Sequence, residues 1–241
     1  MLQPFISLKA LISSVFTFML LGSFGDATPI NARGQGGTRQ NPIPVTIDVS
    51  KWPNIAEQNC YIMLCLMGRN RVFQRVQTAD ESERAYTLSG AEWTPFQQRN
   101  LIKYHVQQIN SQPGRRTETS SAEEFPWRSI HVDPLDPRYV IPATLYEQSM
   151  QGNSLSNLYG PNRIDYGNFF HVTFSGYTGP YCRALHSPPT KPDVCDNHFQ
   201  TILFGVKIML ANFIYALERG GPTRNLFVHM AGDYKGRVWP S

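Results

Sequence analysis

The chain has 241 residues, of which 41% are hydrophobic and 17% charged, and its formal net charge is +4. These values exclude a collagen, a coiled coil and a mostly disordered polymer, because each of those classes has a far more biased composition. An aromatic content of 12% can supply a core at this length without a metal or a disulfide. The small positive charge is compatible with an anionic partner.

The first 44 residues indicate two segments that precede the folded domain. Residues 1–27 contain Lys9, an apolar run over 10–21 and then small residues, which is typical of a secretory signal peptide. The run is shorter than the ~20 residues of a membrane span. Residues 28–44 are rich in glycine, proline and polar side chains, which predicts a flexible leader or pro-segment. We therefore expect a secreted, extracellular protein with no membrane attachment after signal cleavage, and one domain over residues 45–241.

A strand pattern and a helix signal occupy the first part of this domain. Alternating apolar and polar residues predict a half-buried strand at 45–49, and the apolar run at 59–66 predicts a central strand. Thr94 followed by Pro95 predicts the start of a helix that covers residues 96–109.

The second part of the domain combines strands with a long apolar run. The strand candidates are residues 139–145, 169–174, 226–230 and 238–239. Pro142 favours an edge or bulged position for the first of them. Residues 197–219 are apolar and end at two glycines, which predicts a long buried helix. Strands and helices that do not alternate regularly predict an α+β fold with a mixed, mostly antiparallel sheet and packed helices.

The chain has four cysteines, Cys60, Cys65, Cys182 and Cys195. An exported protein can form disulfides, and four cysteines permit three full pairings. On a strand, the odd separation of Cys60 and Cys65 would direct them to opposite faces, so they are poor partners. Cys182 and Cys195 flank a proline-rich loop, which favours a local bridge between them over long-range pairings. A zinc site with His186 and His198 is the alternative, although the sequence has neither a CxxC pair nor an HxxxH spacing.

The candidate chemistry lies in carboxylates, because the sequence contains no GxSxG, HExxH, P-loop or GxGxxG motif. Glu123 and Glu124 stand side by side before an aromatic-proline-aromatic triplet. Glu147 follows a predicted strand and precedes a short helix that Gly160 and Pro161 end. A carboxylate at the start of a helix can hold a divalent cation. The backbone amides of the same helix start favour an anion such as a phosphate, which can bind that cation as well.

Three blocks of this region resemble the NucA/NucB deoxyribonucleases, which are secreted metal-dependent endonucleases. The family stretch C-D-E-Y-P-F-A is similar to AEEFPWR at 122–128. The stretch E-N-x-x-Q-G-x-x-L-x-x-F/Y is similar to EQSMQG at 147–152 together with Leu155 and Tyr159. The stretch I-x-x-G-x-x-F-x-V corresponds to Ile164, Gly167, Phe170 and Val172. Order, spacing and residue types agree across all three blocks.

The resemblance implies a ββα-metal type nuclease site. By position, Glu123 takes the place of the family's general base and Glu147 that of its Mg²⁺ or Mn²⁺ ligand, while Gln151 and Gly152 shape the start of the helix. Glu124 is the neighbouring catalytic candidate. Since adjacent strand residues face opposite ways, we expect only one of Glu123 and Glu124 to enter the site.

A cation acts as a Lewis acid on the phosphodiester while a carboxylate activates water. The reaction that the resemblance implies is therefore hydrolysis of DNA, with RNA as the open alternative. We expect the protein to be a monomer. Arginines are the candidate phosphate contacts. They are Arg115, Arg116 and Arg128 near the first block, and Arg69, Arg71 and Arg75 before it.

Two other functions stay open. The chain has Glu123 where the family has Asp and Ala122 where the family has Cys. One alternative is therefore a catalytically degenerate relative that keeps the fold as a secreted binding protein or effector. The other is a secreted ribonuclease that uses a His and Glu pair and no metal.

Overall fold

The computed structural model describes most of the chain beyond the predicted signal peptide. The described residues are 34–98, 101–107, 116–133, 136–177, 179–188, 193–196, 201–203, 206–219 and 225–239. All of them belong to one unit, Arg33–Ser241. The predicted signal peptide and the first six residues of the predicted leader lie outside these ranges, as does Arg115. Among the helices described, none has the length and apolar character needed to cross a bilayer.

The secondary structure mixes strands and helices along the chain. The strands are β1 (Ile43–Asp48), β2 (Val72–Gln74), β3 (His105–Gln107), β4 (Arg116–Glu118), β5 (Ser121–Phe125), β6 (Tyr139–Ala143), β7 (Phe169–Ser175), β8 (Thr201–Leu203), β9 (Val206–Ile208), β10 (Tyr215–Arg219), β11 (Asn225–His229) and β12 (Val238–Trp239). The helices are α1 (Pro53–Tyr61), α2 (Ala79–Ser89), α3 (Pro95–Gln98), α4 (Leu145–Tyr159), α5 (Pro180–His186) and α6 (Asp193–Asp196). The α+β class that the sequence predicts is confirmed.

β7 is the central strand of a three-stranded sheet in the order β1, β7, β2. It runs parallel to β1 and antiparallel to β2. Phe170, Val172 and Phe174 alternate along β7 and are buried, so the period of two that predicted the strand also places its apolar face in the core. The end of the predicted leader joins this sheet, because the Phe169 N–H donates to the Gly36 carbonyl at 2.8 Å and β1 begins at Ile43.

A second sheet has five strands in the order β12, β11, β10, β6, β5, and each pair of neighbours is antiparallel. The strands predicted at 139–145, 226–230 and 238–239 are confirmed as β6, β11 and β12. Pro142 lies on an internal strand, but β10 pairs only with Tyr139 and Val140, so the proline lies beyond that pairing. β5 is the last strand in this order, and its outer edge pairs with no other described strand.

The strand predicted at 59–66 is wrong, because these residues belong to α1 and to a π-helical turn, Ile62–Leu66, that extends it. In α1 every residue from Asn54 to Tyr61 is buried. A helix buried on all sides lacks the one-sided apolar stripe of a surface helix. A short apolar run by itself does not distinguish such a helix from a buried strand.

Two predicted helices are also wrong over most of their length. Within residues 197–219 the structure has β8, β9, a 3₁₀ turn at Leu210–Phe213 and β10. The helix predicted at 96–109 begins at Pro95 as expected but ends at Gln98, and β3 follows. Both segments are rich in β-branched and aromatic residues, whose preference for strands outweighs the apolar length that suggested helix.

The disulfides connect α1 and its π-helical extension to the chain around α5 and α6. They join Cys60 to Cys182 and Cys65 to Cys195, with Cα atoms 4.9 and 5.5 Å apart. The predicted local bridge between Cys182 and Cys195 is wrong. That prediction depended on the proline-rich loop between the two cysteines, whereas in the structure each of them bridges instead to α1 or its π-helical extension.

Removing Cys60–Cys182 tests this pairing. We expect the double variant Cys60→Ser, Cys182→Ser to lose about 3 kcal/mol of unfolding free energy in urea, because with Cys65–Cys195 intact the bridge closes an effective loop of only about 20 residues. The control, Cys60→Ser with Cys195→Ser, removes one partner from each bridge and is expected to lose more. A Cys182–Cys195 peptide in a non-reducing digest of the wild-type protein would contradict the pairing.

Candidate functional site

A cavity of about 1070 Å³ lies between β5, α2 and α4. We call it the carboxylate cavity, after Glu123 and Glu124 in its wall. Its other polar and aromatic lining residues include Arg75, Tyr86, Trp127, Arg128, Gln148, Gln151, Tyr159 and Arg163. The cavity therefore combines two buried glutamates and the exposed Asp165 with three arginines and several rings.

Both glutamates reach this cavity, which corrects the expectation that only one would. Glu123 and Glu124 are 6% and 7% exposed. Glu123 is next to Gln148 and Gln151 of α4, whereas Glu124 is next to Ser89 at the end of α2. Their side chains leave β5 on opposite faces, as strand geometry requires. The cavity follows the free edge of β5, so it receives side chains from both faces.

Burial and mutual repulsion change the acidity of this pair. Loss of hydration, and after it the neighbouring Glu124 charge, raises the pKa of Glu123 to about 8 against the hydrogen bonds from the Gln151 and Gln148 amides, which act in the opposite direction. Burial also raises the pKa of Glu124, against the Ser89 hydroxyl and the positive charges of Arg138 and Arg128. At neutral pH the pair therefore holds a proton that it can exchange.

α4 is fixed against β5 by hydrogen bonds from its first turns. The Thr144 hydroxyl caps the helix by accepting from the Glu147 N–H at 3.2 Å. The Gln148 Nε2 donates to the Ala122 carbonyl at 2.6 Å, and the Ser121 hydroxyl donates to Gln148 Oε1. These contacts place Gln151, one turn later, against Glu123.

Glu147 lies behind the cavity wall and is not among the residues that line it. It is four residues before Gln151, so the two side chains share a face of α4. Its Oε1 accepts from the backbone N–H and the Nδ2 of Asn54, at 3.2 and 2.8 Å. Asn54 is in the first turn of α1, so Glu147 satisfies a free amide at the N-terminus of that helix. The structure therefore does not bring Glu147 and Glu123 into one cavity. Glu147 lies only one turn of α4 before Gln151, which contacts Glu123.

A second buried carboxylate acts in the same way, and sequence reasoning missed it. Glu57 on α1 accepts from the Tyr181 and Cys182 N–H groups, at 2.6 and 3.1 Å, in the first turn of α5. A Cβ at Gly179 would lie 2.1 Å from Glu57 Oε2, so only glycine fits before this turn. The single charge inside the apolar region that precedes Cys60 is the sequence signal that could have identified it.

The predicted metal ligand has one oxygen that suits a cation. Glu147 Oε2 is buried and has no hydrogen-bond partner among the described residues, and the same holds for Asn54 Oδ1 and Gln58 Oε1. Carboxylate and amide oxygens are the ligands that Mg²⁺ takes, and Mg²⁺ commonly keeps several waters. In the described ranges no three His, Cys, Asp or Glu side chains form a metal-binding group. The donor set therefore fits a cation that takes one carboxylate from the protein.

Of the arginines named from the sequence, Arg75 and Arg128 line the carboxylate cavity. Arg69 donates to carbonyls at the end of α5, and Arg71 donates to His186. Arg116 begins β4, and its side chain is outside the described atoms, as is the whole of Arg115. Arg163, which sequence reasoning missed, also lines the cavity and has a φ of 53°.

No protein-family model, no curated protein and no solved structure matches the chain. The resemblance to the NucA/NucB deoxyribonucleases therefore rests on the three blocks of residues alone.

The buried caps predict how stability changes with pH. Burial raises the pKa of Glu57 and of Glu147 to about 7, from an ordinary value of 4.5. A carboxyl whose pKa is higher in the folded state stabilises the fold below pH 4.5, and this contribution is lost as the pH rises through about 7. We expect the unfolding free energy to fall over this window by up to about 1.4 kcal/mol per pH unit for each group.

Urea unfolding between pH 4 and 8 measures this slope. The variant Glu147→Gln keeps an oxygen that can accept from Asn54 but does not titrate, so its slope should be smaller than that of the wild type. Glu218→Gln, at an exposed position on β10, is the matched control and should leave the slope unchanged. Equal slopes in all three proteins would contradict the assignment.

Proposed function

We propose that this chain is a secreted, metal-dependent endonuclease that hydrolyses the phosphodiester bonds of DNA in the carboxylate cavity. The observation that supports this most strongly is the pair of buried carboxylates, Glu123 and Glu124, in a cavity that three arginines also line. Phosphodiester hydrolysis needs a base for the attacking water and cations for the phosphate. The two disulfides fit export into an oxidising compartment.

In this proposal Glu123 is the general base. A base works best when its pKa lies near the working pH, and a pKa of about 8 makes the Glu123 carboxylate far more basic than an ordinary glutamate. The carboxylate takes a proton from a water that attacks phosphorus. Gln151 and Gln148 orient the carboxylate, and Glu124 keeps its pKa high.

The arginines bind the substrate backbone. Arg128 and Arg163 are exposed, and Arg75 is partly buried at the side of the cavity. A guanidinium presents several N–H groups in a plane, which suits the oxygens of a phosphate. The three side chains neutralise the phosphates near the base and hold the scissile one beside it.

A divalent cation, Mg²⁺ or Mn²⁺, belongs to the proposal as the cofactor. Glu147 Oε2 and Asn54 Oδ1 would hold it. Such an ion would stabilise negative charge that develops on the phosphate and on the leaving oxygen, but Glu147 lies one turn of α4 behind the cavity wall, so the phosphate would have to approach it past Gln151.

Plasmid digestion by the purified chain tests the enzyme. We expect cleavage by the wild type with Mg²⁺ or Mn²⁺, loss of cleavage in EDTA, and a fall of about 10² to 10⁴-fold in kcat/KM for Glu123→Gln. Glu147→Gln should raise the metal concentration that gives half-maximal rate. Glu218→Gln is the control and should behave as wild type. Clean cleavage that survives EDTA and both substitutions would dismiss the proposal.

The acidity of the pair gives a separate prediction. With Glu123 as base, kcat/KM should rise with pH toward a plateau above about 8, because only the ionised carboxyl accepts a proton. Replacing Glu124 by Gln removes the neighbouring charge, so the midpoint of the rise should move to lower pH. A midpoint that does not change in Glu124→Gln, measured on a single DNA substrate, would show that the titrating group lies elsewhere.

Each of the two alternative functions predicts its own experimental result. DNA binding without cleavage by any divalent ion would favour the catalytically degenerate binding protein or effector. The ribonuclease alternative is favoured by the contact between His131 Nδ1 and Glu81 Oε1, beside a second cavity of about 540 Å³ that Arg39 and His131 line. RNA cleavage that survives EDTA and is lost in His131→Ala would favour it.

A further inference from the structure

Two tyrosines and an arginine form a stack at the border of the carboxylate cavity. The Arg75 Cζ lies 4.3 Å from the ring centroid of Tyr159 and 4.2 Å from that of Tyr166. Arg75 and Tyr159 line the cavity, and so do Ile164 and Asp165, which immediately precede Tyr166. Tyr166 therefore stands at the rim, in contact with a cation of the cavity wall.

The stack is held in place from several sides. The Arg75 Nη1 donates to the Ile164 carbonyl at 2.5 Å, and the Tyr159 hydroxyl contacts the Ser129 hydroxyl at 2.5 Å. The backbone of Arg75 also pairs with the loop that carries Tyr166, since its N–H donates to the Asn168 carbonyl at 2.8 Å. The Tyr166 ring is therefore oriented before any ligand arrives, which reduces the entropy lost on binding.

Tyr166 is nevertheless open to solvent. Its side chain is 54% exposed, and no other Phe, Tyr or Trp side chain that the structure describes is exposed. An exposed ring that is fixed against a guanidinium offers one surface for stacking and, next to it, donors for an anion. A nucleobase with its attached phosphate has this combination of a flat π surface and a negative charge.

We infer that Tyr166 and Arg75 form a subsite for an unpaired nucleobase and its phosphate, so that the enzyme binds single-stranded DNA in preference to the duplex of a plasmid, which it cleaves more slowly. The inference rests on the proposed function. In a duplex, neighbouring base pairs cover both faces of each base, so a protein ring gains a stacking contact only where a base is unpaired. The phosphate of the stacked nucleotide binds Arg75, and the chain then continues into the cavity toward Glu123.

Fluorescence anisotropy tests the subsite without cleavage. The purified chain is titrated, in EDTA, against a labelled oligothymidylate of about 12 nucleotides and against a labelled duplex of the same length. For Tyr166→Ala we expect about a tenfold weaker affinity for the single strand and less than about a twofold change for the duplex. Tyr166→Trp, which keeps a flat ring, should restore single-strand binding.

Tyr234 provides a matched control. It also has an arginine over its ring, with Arg237 Cζ 5.0 Å from the centroid. It lies between β11 and β12, at the opposite end of the five-stranded sheet from β5. Tyr234→Ala should leave both affinities unchanged, and thermal melting of each variant checks that it is folded.

The outcomes separate this inference from the proposed function. Equal losses of affinity for single strand and duplex in Tyr166→Ala, or no loss for either, would overturn the subsite while leaving plasmid cleavage by the wild type intact. A wild-type protein that neither binds nor cleaves DNA would overturn the proposed function itself. A single-strand-specific loss that Tyr166→Trp restores supports the subsite.

Discussion

Two buried carboxylates connect three helices end to end, and the position of the candidate site depends on them. Glu147 on α4 accepts from the first turn of α1, and Glu57 on α1 accepts from the first turn of α5. The free N–H groups at a helix N-terminus need partners, and in a core no water is available to supply them. A carboxylate at this position satisfies the donors and complements the helix dipole. The disulfide between Cys60 and Cys182 strengthens the contact between α1 and α5.

The same arrangement decides where chemistry can take place. Because Glu147 anchors the start of α4 against α1, the next turn of α4 presents Gln151 to the free edge of β5 and to Glu123. Desolvation dominates the electrostatics of that edge, since burial is the largest influence on the pKa of both Glu123 and Glu124. The arginines of the cavity lie toward its open side, where Arg128 and Arg163 are exposed. The two glutamates therefore lie in the buried wall of the cavity, and the exposed arginines lie at its accessible rim.

Most strand predictions were right, including β6, in which every residue is buried, whereas the wrong assignments fall in runs that fit either a helix or a strand. β1 and β7 alternate strictly, and the sequence located both. α4 was located from its start near Glu147 and from the Gly160-Pro161 pair. α1 is buried on all sides, so its apolar run was interpreted as a strand. The cysteine pairing was wrong for another reason, because the proline-rich loop between Cys182 and Cys195 suggested a local bridge. Residues 197–219 were assigned to a helix from their length and apolarity. They are rich in β-branched and aromatic residues, and the structure has short strands there.

The sequence by itself determined the α+β class and identified Glu123, Glu124 and Gln151 as site candidates, because the block patterns are local and a strand or helix start needs few residues. Only the tertiary structure decided that Glu124 shares the cavity with Glu123, that Arg163 lines it and that Tyr166 stacks on Arg75. It also decided that Glu147 caps α1 and that Glu57 caps α5. Apart from the neighbours Glu123 and Glu124, these relations join residues that are distant in the chain. Such proximity follows from how the helices pack against the sheets and has no local signature in the sequence.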